Sequence, residues 1–576
     1  MENKKLIVEI TLDHRENTNL LLNEGTINMT ITFALNKDFN LLFSYYFIIT
    51  LLILSSWQLG SFSVDSNHYS NILNIQHQVN PFPNNSETAN MILKTSEVKP
   101  IVNHLGEIFE GYILFQIRDL DNPPPNFQIT DMEGKLIEEF QIEKKDGYAQ
   151  PINSTTFLLT FENSTYLWNR ETGRKMSFDF FSHHDISYNP TTKSFMTLVT
   201  ETIINPNVVI PGQQIMDNYA FDFDTIREID IGSNIIWELN ISSFIPFEWW
   251  SGELAKTGNM DVTHSNSVFW DIEEDIIYLN CRNLNTFYKI DHGTGEVLWG
   301  LGEYGDFTLF DSFGNQRENL FYHSHALKKV DNNIFILFDN DFMNKTDANN
   351  HRSRILEITI NETTMTANTS WVWTGSEEYY SSYWGDADRL PNGNRFGVFG
   401  TRTHPKTDIG PRFVEVNERG EVVWEMYYKG GRCGIYRAER FQLNPVLSPL
   451  EDKLIAVGDP LELSWQIWYN FRTKLKMKGS YTLYRDSDSI SEGEVVYDKF
   501  WRPTNLTFNL DSLPQGKYTF KLEVADEGGH ITEDTVIVYV GISPSEEPSN
   551  RVPMSPITWF VFILALMSAK QRRKRD

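Results

Sequence analysis

At 576 residues the chain exceeds what one undivided hydrophobic core supports, so its core must be shared among domains or among repeated units around an axis. Its net charge of −27 excludes a protein built to grip a phosphate backbone, which needs a basic footprint. Nucleic acid is therefore not an expected partner, and an anionic substrate must find a local island of positive groups. Aromatic residues make up 14% of the chain and turn-forming Asn, Asp and Gly are plentiful, which points to half-buried strands and an all-β protein. Two cysteines, Cys281 and Cys433, supply neither a zinc cluster nor a disulfide framework, and their pairing stays open.

Residues 1–40 read as an N-terminal leader that carries only Lys4, Lys5, Arg15 and Lys37 as cations, and initiation at Met29 would shorten it. Leu41–Gly60 is an uncharged apolar stretch long enough to cross a bilayer as a helix, a signal or transmembrane segment. Residues 61–104 are polar and rich in Asn and Ser, as in a flexible stalk. At the far end, Met554–Ala569 is apolar and precedes Lys570, Arg572, Arg573, Lys574 and Arg575, which places that tail, residues 570–576, in the cytoplasm. The segment reads as a C-terminal span or as a sorting tail processed after export. Everything between the two apolar segments is expected on the extracytoplasmic side of the cell membrane. Asn-X-Ser/Thr triplets at Asn84, Asn153, Asn163, Asn240, Asn344, Asn361, Asn368 and Asn505 suit a glycoprotein.

From Gly111 short β-type runs recur at intervals of roughly 35 to 55 residues, the range of propeller blades. The clearest unit begins at Asp261 and reads as the strands SNSVFW, DIIYLNC, TFYKID and EVLWGL, with turns at Glu273-Glu274, Arg282-Asn283 and Asp291–Gly295. Copies follow from Ser324 and Gly385. Three earlier ones are traced in YILFQIRDL with FQITDMEGKLIEEFQI, in TTFLLTFENSTYLWNRETGRKMSFDF, and in HHDISYNPTTKSFMTLVTE with YAFDFDTIREIDIGSNIIWEL. Six four-stranded units over residues 105–440 predict a six-bladed β-propeller whose first strands line the axis. After Tyr428 the pattern alters, and alternating strands over residues 449–541 predict an immunoglobulin-like or fibronectin-like β-sandwich, followed by a linker over 542–553.

Histidine precedes the first strand in three successive units: His183-His184, His264, and His323 with His325. In a propeller these positions converge on one mouth of the axial channel. Arg282 ends the second strand of its unit, while Arg352 and Arg354 open a later one. A guanidinium suits a tetrahedral oxyanion because its planar fork donates two hydrogen bonds at once. For Arg352 an ordinary salt bridge is the better account. A metal held by these histidines with Asp185 or Asp386 is an alternative, although no His-Glu-X-X-His spacing exists.

The order DVTHSNSVFWD, DIIYLNCRNLNTFYKID, TGEVLWGLG, HSHALKKVDNNIFILFDND, SRILEI and NGNRFGVFGTRTH resembles the PAPS-independent arylsulfotransferases, six-bladed β-propellers, across residues 105–430. That resemblance implies ping-pong transfer of a sulfuryl group from an aryl sulfate donor to a phenolic acceptor through a sulfohistidine, with no cofactor and no metal. It assigns Asp261 and His264 to an Asp-X-X-His-X-Asn-Ser-Val motif, His325 to the segment before a Phe-Asp-Asn strand, and Arg354 to a Ser-Arg-X-X-Glu motif. The family's nucleophilic histidine best matches His404, here preceded by Arg402-Thr403 where the family has small residues. The expected catalytic set is thus His404, His264, His325 and Arg354, with Asn266, Arg282, His323, His184 and Arg402 binding substrate. The sandwich lies C-terminal here, whereas the well-known bacterial enzymes carry theirs N-terminally. The alternative is a surface propeller without a nucleophile that binds glycans or protein partners. A quinoprotein dehydrogenase is disfavoured, because the adjacent cysteines and metal ligands typical of those enzymes are missing.

Overall fold

The computed structural model describes residues 8–13, 28–33, 62–66 and 100–543. Within the last range, residues 120–125, 142–146, 162–163, 181, 206–207, 210–214, 217–218, 250–252, 255–257, 345–349, 401–408 and 430–432 are excepted. The chain divides into two compact units, residues 1–93 and 94–576. In the first, Val8–Asp13 pairs antiparallel with Asn28–Phe33, which pairs parallel with Phe62–Ser66. Strand pairing therefore occupies stretches that the sequence reads as leader and stalk. Residues 41–60 and 554–569, expected as apolar helical segments, lie outside the described residues, as does the basic tail. Among the described residues no helix is long and apolar enough to cross a membrane.

The described residues of the second unit form strands and short 3-10 turns. The fourth repeat shows why. Ser265–Asp271 and Ile276–Cys281 are buried along their whole length, as befits strands covered on both faces, while Thr286–Asp291 and Val297–Gly302 complete an antiparallel sheet. The third turn is set by Asp291, whose carboxylate accepts from the Thr294 amide at 2.8 Å, with Gly295 at φ 74° supplying the left-handed residue. Gly302 ends the sheet at φ 138°, where a Cβ would lie 2.1 Å from the Asn285 carbonyl oxygen.

Six such sheets follow one another. The second uses Gly147–Pro151, Thr156–Phe161, Ser164–Asn169 and Lys175–Phe178, and the third Ile186–Asn189, Ser194–Asn205, Tyr219–Asp230 and Ile235–Asn240. The fifth uses His325–Asp331, Ile334–Asp339, Arg354–Asn361 and Thr366–Thr374, and the sixth Asp386–Arg389, Arg395–Phe399, Ile409–Val416 and Val422–Lys429. The first sheet draws a strand from beyond Tyr428, where the sequence pattern alters but within the span 105–440 expected for the repeat. Its strands Tyr112–Asp119, Asn126–Asp131 and Leu136–Gln141 take their first partner from Cys433–Phe441, with Phe441 opposite Tyr112 and Cys433 opposite Asp119. Conversely, Ile101–His104 adds to the outer edge of the sixth sheet, with Trp424 opposite His104. Each end of the repeat is thus paired with the other end, which satisfies edge groups that would otherwise stand open.

First strands of neighbouring sheets are linked side by side. Tyr148 donates to the Ile186 carbonyl at 2.8 Å, Ser187 to the Val268 carbonyl at 2.9 Å, and Ser267 to the Leu327 carbonyl at 3.1 Å. Lys328 bonds Asp388 at 2.7 Å, and Asp386 accepts from the Ala438 amide at 3.3 Å. Apolar clusters fill the spaces between sheets: Phe287, Trp299, Phe335 and Leu356 between the fourth and fifth, and Phe115, Phe413 and Trp424 between the sixth and first. Trp424 is fully buried and still satisfies its indole N–H, which donates to the Met132 carbonyl at 2.9 Å. Each such side chain contributes about 1.5–3 kcal/mol of burial.

After Phe441 the chain forms two further sheets. One joins Val446–Leu447, Leu461–Trp468 and Thr504–Leu510; the other joins Lys453–Ile455, Ile531–Val540, Gly516–Asp526, Met477–Arg485 and Asp488–Tyr497. Alternation of buried and exposed residues along Leu461–Trp468 and Ile531–Val540 turns one face of each inward. Their core is continuous with that of the first and second sheets, because Phe471 stacks on Phe441 at 5.2 Å and meets Phe157 edge-on at 5.4 Å. Arg472 and Lys474, just beyond Phe471, reach residues on the first strands: Arg472 lies 3.6 Å from Asp388, and Lys474 donates to Ser187.

Candidate functional site

The heads of the first strands share an unusual backbone. His184, His264, His323 and Trp384 all have positive φ, at 65°, 42°, 54° and 64°, just before the first strands of the third to sixth sheets. A non-glycine residue in this region costs on the order of 1 kcal/mol or more and persists only where its surroundings impose it. Here the kink gathers the side chains of different sheets into one cluster.

His184 Nε2 lies 2.9 Å from His264 Nε2, and His264 Nδ1 is hydrogen-bonded to Asp261 Oδ2. His183 sits against both rings, at centroid separations of 4.0 and 5.6 Å, with its Nδ1 3.4 Å from Asp224. Tyr436 stacks on His184 at 5.6 Å and meets His325 edge-on at 6.2 Å, so it bridges the two sides of the cluster. His325 is fixed through Nδ1 by Asn340 Oδ1 at 2.6 Å. His323 is buried against Phe342, with ring centroids 5.1 Å apart.

Burial lowers the proton affinity of four of these rings. His323 is brought down to about 3 by burial and the Arg282 charge. His264 and His325 are lowered by the same two causes, although Asp261 and Asn340 respectively pull the other way. His184 is lowered by burial, by His183 and by His264. These four rings are therefore neutral at physiological pH, the form in which imidazole is a nucleophile or a base. Arg282 is held beside them because the turn Arg282–Leu284 is locked to the His264 loop: Asn283 donates from Nδ2 to the Asp261 carbonyl at 2.7 Å and from its amide to the Thr263 carbonyl at 3.2 Å.

The expected residues fall into three groups. His184, His264, His323, His325 and Arg282 come together. Asn266 and Arg354 are committed elsewhere: Asn266 donates to the Ser324 carbonyl and accepts from Asn280, both at 2.8 Å, while Arg354 pairs with buried Asp339 and donates to the Leu320 carbonyl at 3.0 Å. His404 and Arg402 lie outside the described residues.

The metal alternative loses its carboxylates. Asp185 pairs with Arg437 at 3.1 Å and accepts from Tyr148 at 2.5 Å, and Asp386 pairs with Lys328 at 2.7 Å. Among the described residues no group of His, Cys, Asp or Glu has a geometry to hold a metal ion. Cys281 and Cys433 form no disulfide, and burial pushes the thiol of Cys281 far up.

Tyr436 and Arg437 are the residues that sequence reasoning missed. They belong to the strand Cys433–Phe441, and the signal was the first repeat, which as read contained only three strands. Arg437 is buried and donates to the Asn266 carbonyl at 2.6 Å, so this strand braces the floor of the cluster.

Solved structures resemble parts of the chain. A CARDB domain from Pyrococcus furiosus, crystallised with di-metal ions, is 17% identical, with 17% of this chain and 89% of that one covered and a TM-score of 0.15. The extracellular domain of a hybrid two-component system from B. thetaiotaomicron is 7% identical over 77% of this chain and 57% of that one, with a TM-score of 0.29. Kuenenia stuttgartiensis hydrazine synthase is 9% identical over 51% and 70%, with a TM-score of 0.28. No curated protein matches the chain significantly. The family model described as Arylsulfotransferase (ASST) matches residues 104–437.

Proposed function

The chain belongs to the arylsulfotransferase family, and we propose that it transfers a sulfuryl group from a phenolic sulfate ester to a phenolic acceptor in two steps through a sulfohistidine. On this reading the six sheets are blades of a β-propeller and the histidine cluster is the mouth of its channel. The sheets after Phe441 are an immunoglobulin-like sandwich, and residues 41–60 and 554–569 hold the protein at the membrane with its catalytic part outside.

The observation that carries the reading is the cluster itself: neutral imidazoles from three sheets beside one guanidinium turn, floored by an aromatic ring. A neutral imidazole attacks the sulfur, the S–O bond to the phenol breaks, and the phenolate leaves with its electron pair. The acceptor phenol then takes the sulfuryl group from the imidazole nitrogen. Covalent transfer splits one difficult displacement into two easier ones, and needs neither a nucleotide nor a metal. Arg282 stabilises negative charge on the sulfuryl oxygens, in a dry site where such a contact is worth far more than in water. His325, with its Nδ1–H committed to Asn340, keeps its lone pair on Nε2. Arg354 holds the backbone around Leu320 in place through its pair with Asp339. His404 is the proposed nucleophile.

The test is release of nitrophenol from 4-nitrophenyl sulfate in the presence of a phenol. The wild-type protein is expected to release it in proportion to sulfated acceptor, and His404→Ala to abolish both. Absence of release with every acceptor overturns the assignment to aryl donors.

A further inference from the structure

The chain of contacts from Asp261 to His184 has a definite hydrogen direction. A carboxylate only accepts, so the Nδ1 of His264 carries the proton in its bond to Asp261 Oδ2. Because the His264 ring is neutral, its Nε2 holds a lone pair. That lone pair faces His184 Nε2 at 2.9 Å, so His184 donates from Nε2 and keeps its own lone pair on Nδ1. The kinked backbones at His184 and His264, with φ of 65° and 42°, hold the two rings in this register.

We propose that His184, His264 and Asp261 form a proton relay serving the acceptor half of the reaction, a proposal that rests on the sulfuryl-transfer reading above. The acceptor's O–H proton passes to His184 Nδ1, and the proton on His184 Nε2 passes to His264 Nε2. The oxygen's freed electron pair forms the new bond to sulfur, while the N–S bond of the sulfohistidine breaks and returns its pair to the imidazole nitrogen. The relay then holds one extra proton. When the next donor binds before that proton is lost to solvent, it returns by the reverse path to the departing phenolate; otherwise the cluster relaxes to its neutral resting state.

A relay is required because His184 is a poor place for a charge. It is surrounded by His183, His325, Arg282 and the face of Tyr436, and the carboxylate of neighbouring Asp185 is taken up by Arg437 and Tyr148. An imidazolium there would be buried beside like charge. Moving the proton one ring further places the positive charge on His264, where burial and Arg282 still oppose it but the ring is hydrogen-bonded to the Asp261 carboxylate, a partner His184 lacks.

Burst kinetics with 4-nitrophenyl sulfate test this, since nitrophenolate is a stable anion that leaves without help from an acid. His184→Gln is expected to keep a nitrophenol burst stoichiometric with enzyme, while steady-state transfer to phenol falls on the order of 100-fold, and less for more acidic acceptors. Asp261→Asn is expected to behave likewise, and the double variant to be no worse than either single one. Unchanged turnover in His184→Gln, loss of its burst, or additive losses in the double variant would each overturn the relay. A wild-type enzyme that gives neither stoichiometric nitrophenol release without acceptor nor turnover with one removes the sulfuryl-transfer reading itself, and the relay with it.

Discussion

Arg282 and Arg354 look equivalent in sequence, each an arginine one strand beyond a histidine, but the structure separates them. Arg354 faces Asp339 and Asp341, and its charge is largely answered there. Arg282 is among the causes that lower His184, His264, His323 and His325. Replacing Arg282 by Met is therefore expected to lower kcat/KM for aryl sulfates on the order of 100-fold or more, as loss of a preorganised donor to a developing charge does. Arg282→Met should also raise the pKa of His323 toward its ordinary value, which NMR titration reads directly. Arg354→Met should act mainly on stability, because it strands the buried Asp339 carboxylate. Equal losses of activity with unchanged melting temperatures in both variants would refute this division. The motif signals alone could not separate the two, since a pairing partner such as Asp339 lies on the adjacent strand and is brought opposite Arg354 only by the sheet register.

At the scale of elements, the repeat was legible where turns are short and strands fully buried. The strands expected from Asp261 onward match Ser265–Asp271, Ile276–Cys281, Thr286–Asp291 and Val297–Gly302 to within one residue at each end. The strand Cys433–Phe441 was missed because its partner, Tyr112–Asp119, lies over three hundred residues away, and local pattern carries no information about such pairing. Its hold on the repeat is strong. Arg440 is fully buried, pairs with fully buried Glu415 at 3.1 Å and donates to the Phe109 carbonyl. Arg440→Met leaves buried Glu415 with the Phe109 amide and Asn394 as donors but without its countercharge, and thermal unfolding should show a loss of about 3–5 kcal/mol, whereas a loss under about 1 kcal/mol would deny the strand this role. A second junction is pH-sensitive. His530, on the C-terminal sheets, bonds Asp526 and Glu171 of the second sheet's turn, each at 2.7 Å. Partial burial lowers its proton affinity, but the two carboxylates outweigh this and raise it. Because the folded value is the higher one, the junction contributes fully below the ordinary histidine value of about 6.5 and is lost as pH rises through the raised folded value. The melting temperature of the wild type should therefore fall relative to that of His530→Gln across that window, by on the order of 1 °C.

At the scale of the whole molecule, the C-terminal sheets are not a detachable appendage, although their strand pattern alone reads as one. They share an apolar core with the first two sheets, and Arg472 and Lys474 supply cations to the first strands, where Asp185, Asp386, Asp388 and Glu439 are buried. Burial together with Asp388 and Asp386 already raises Glu439 to about 8 despite the compensating charge of Lys328 and Arg472. A chain cut after residue 445 is expected to be insoluble, since it exposes Phe157 and Phe441 and removes both cations; a soluble, cooperatively melting product would contradict this. Sulfuryl transfer through the histidine cluster is tested most directly by incubating the protein with a radiolabelled aryl sulfate and no acceptor, then adding phenol. Label bound stoichiometrically to a histidine of this chain and discharged onto the phenol is the predicted result. Label that never becomes attached to the protein, while sulfated phenol still forms, would contradict it.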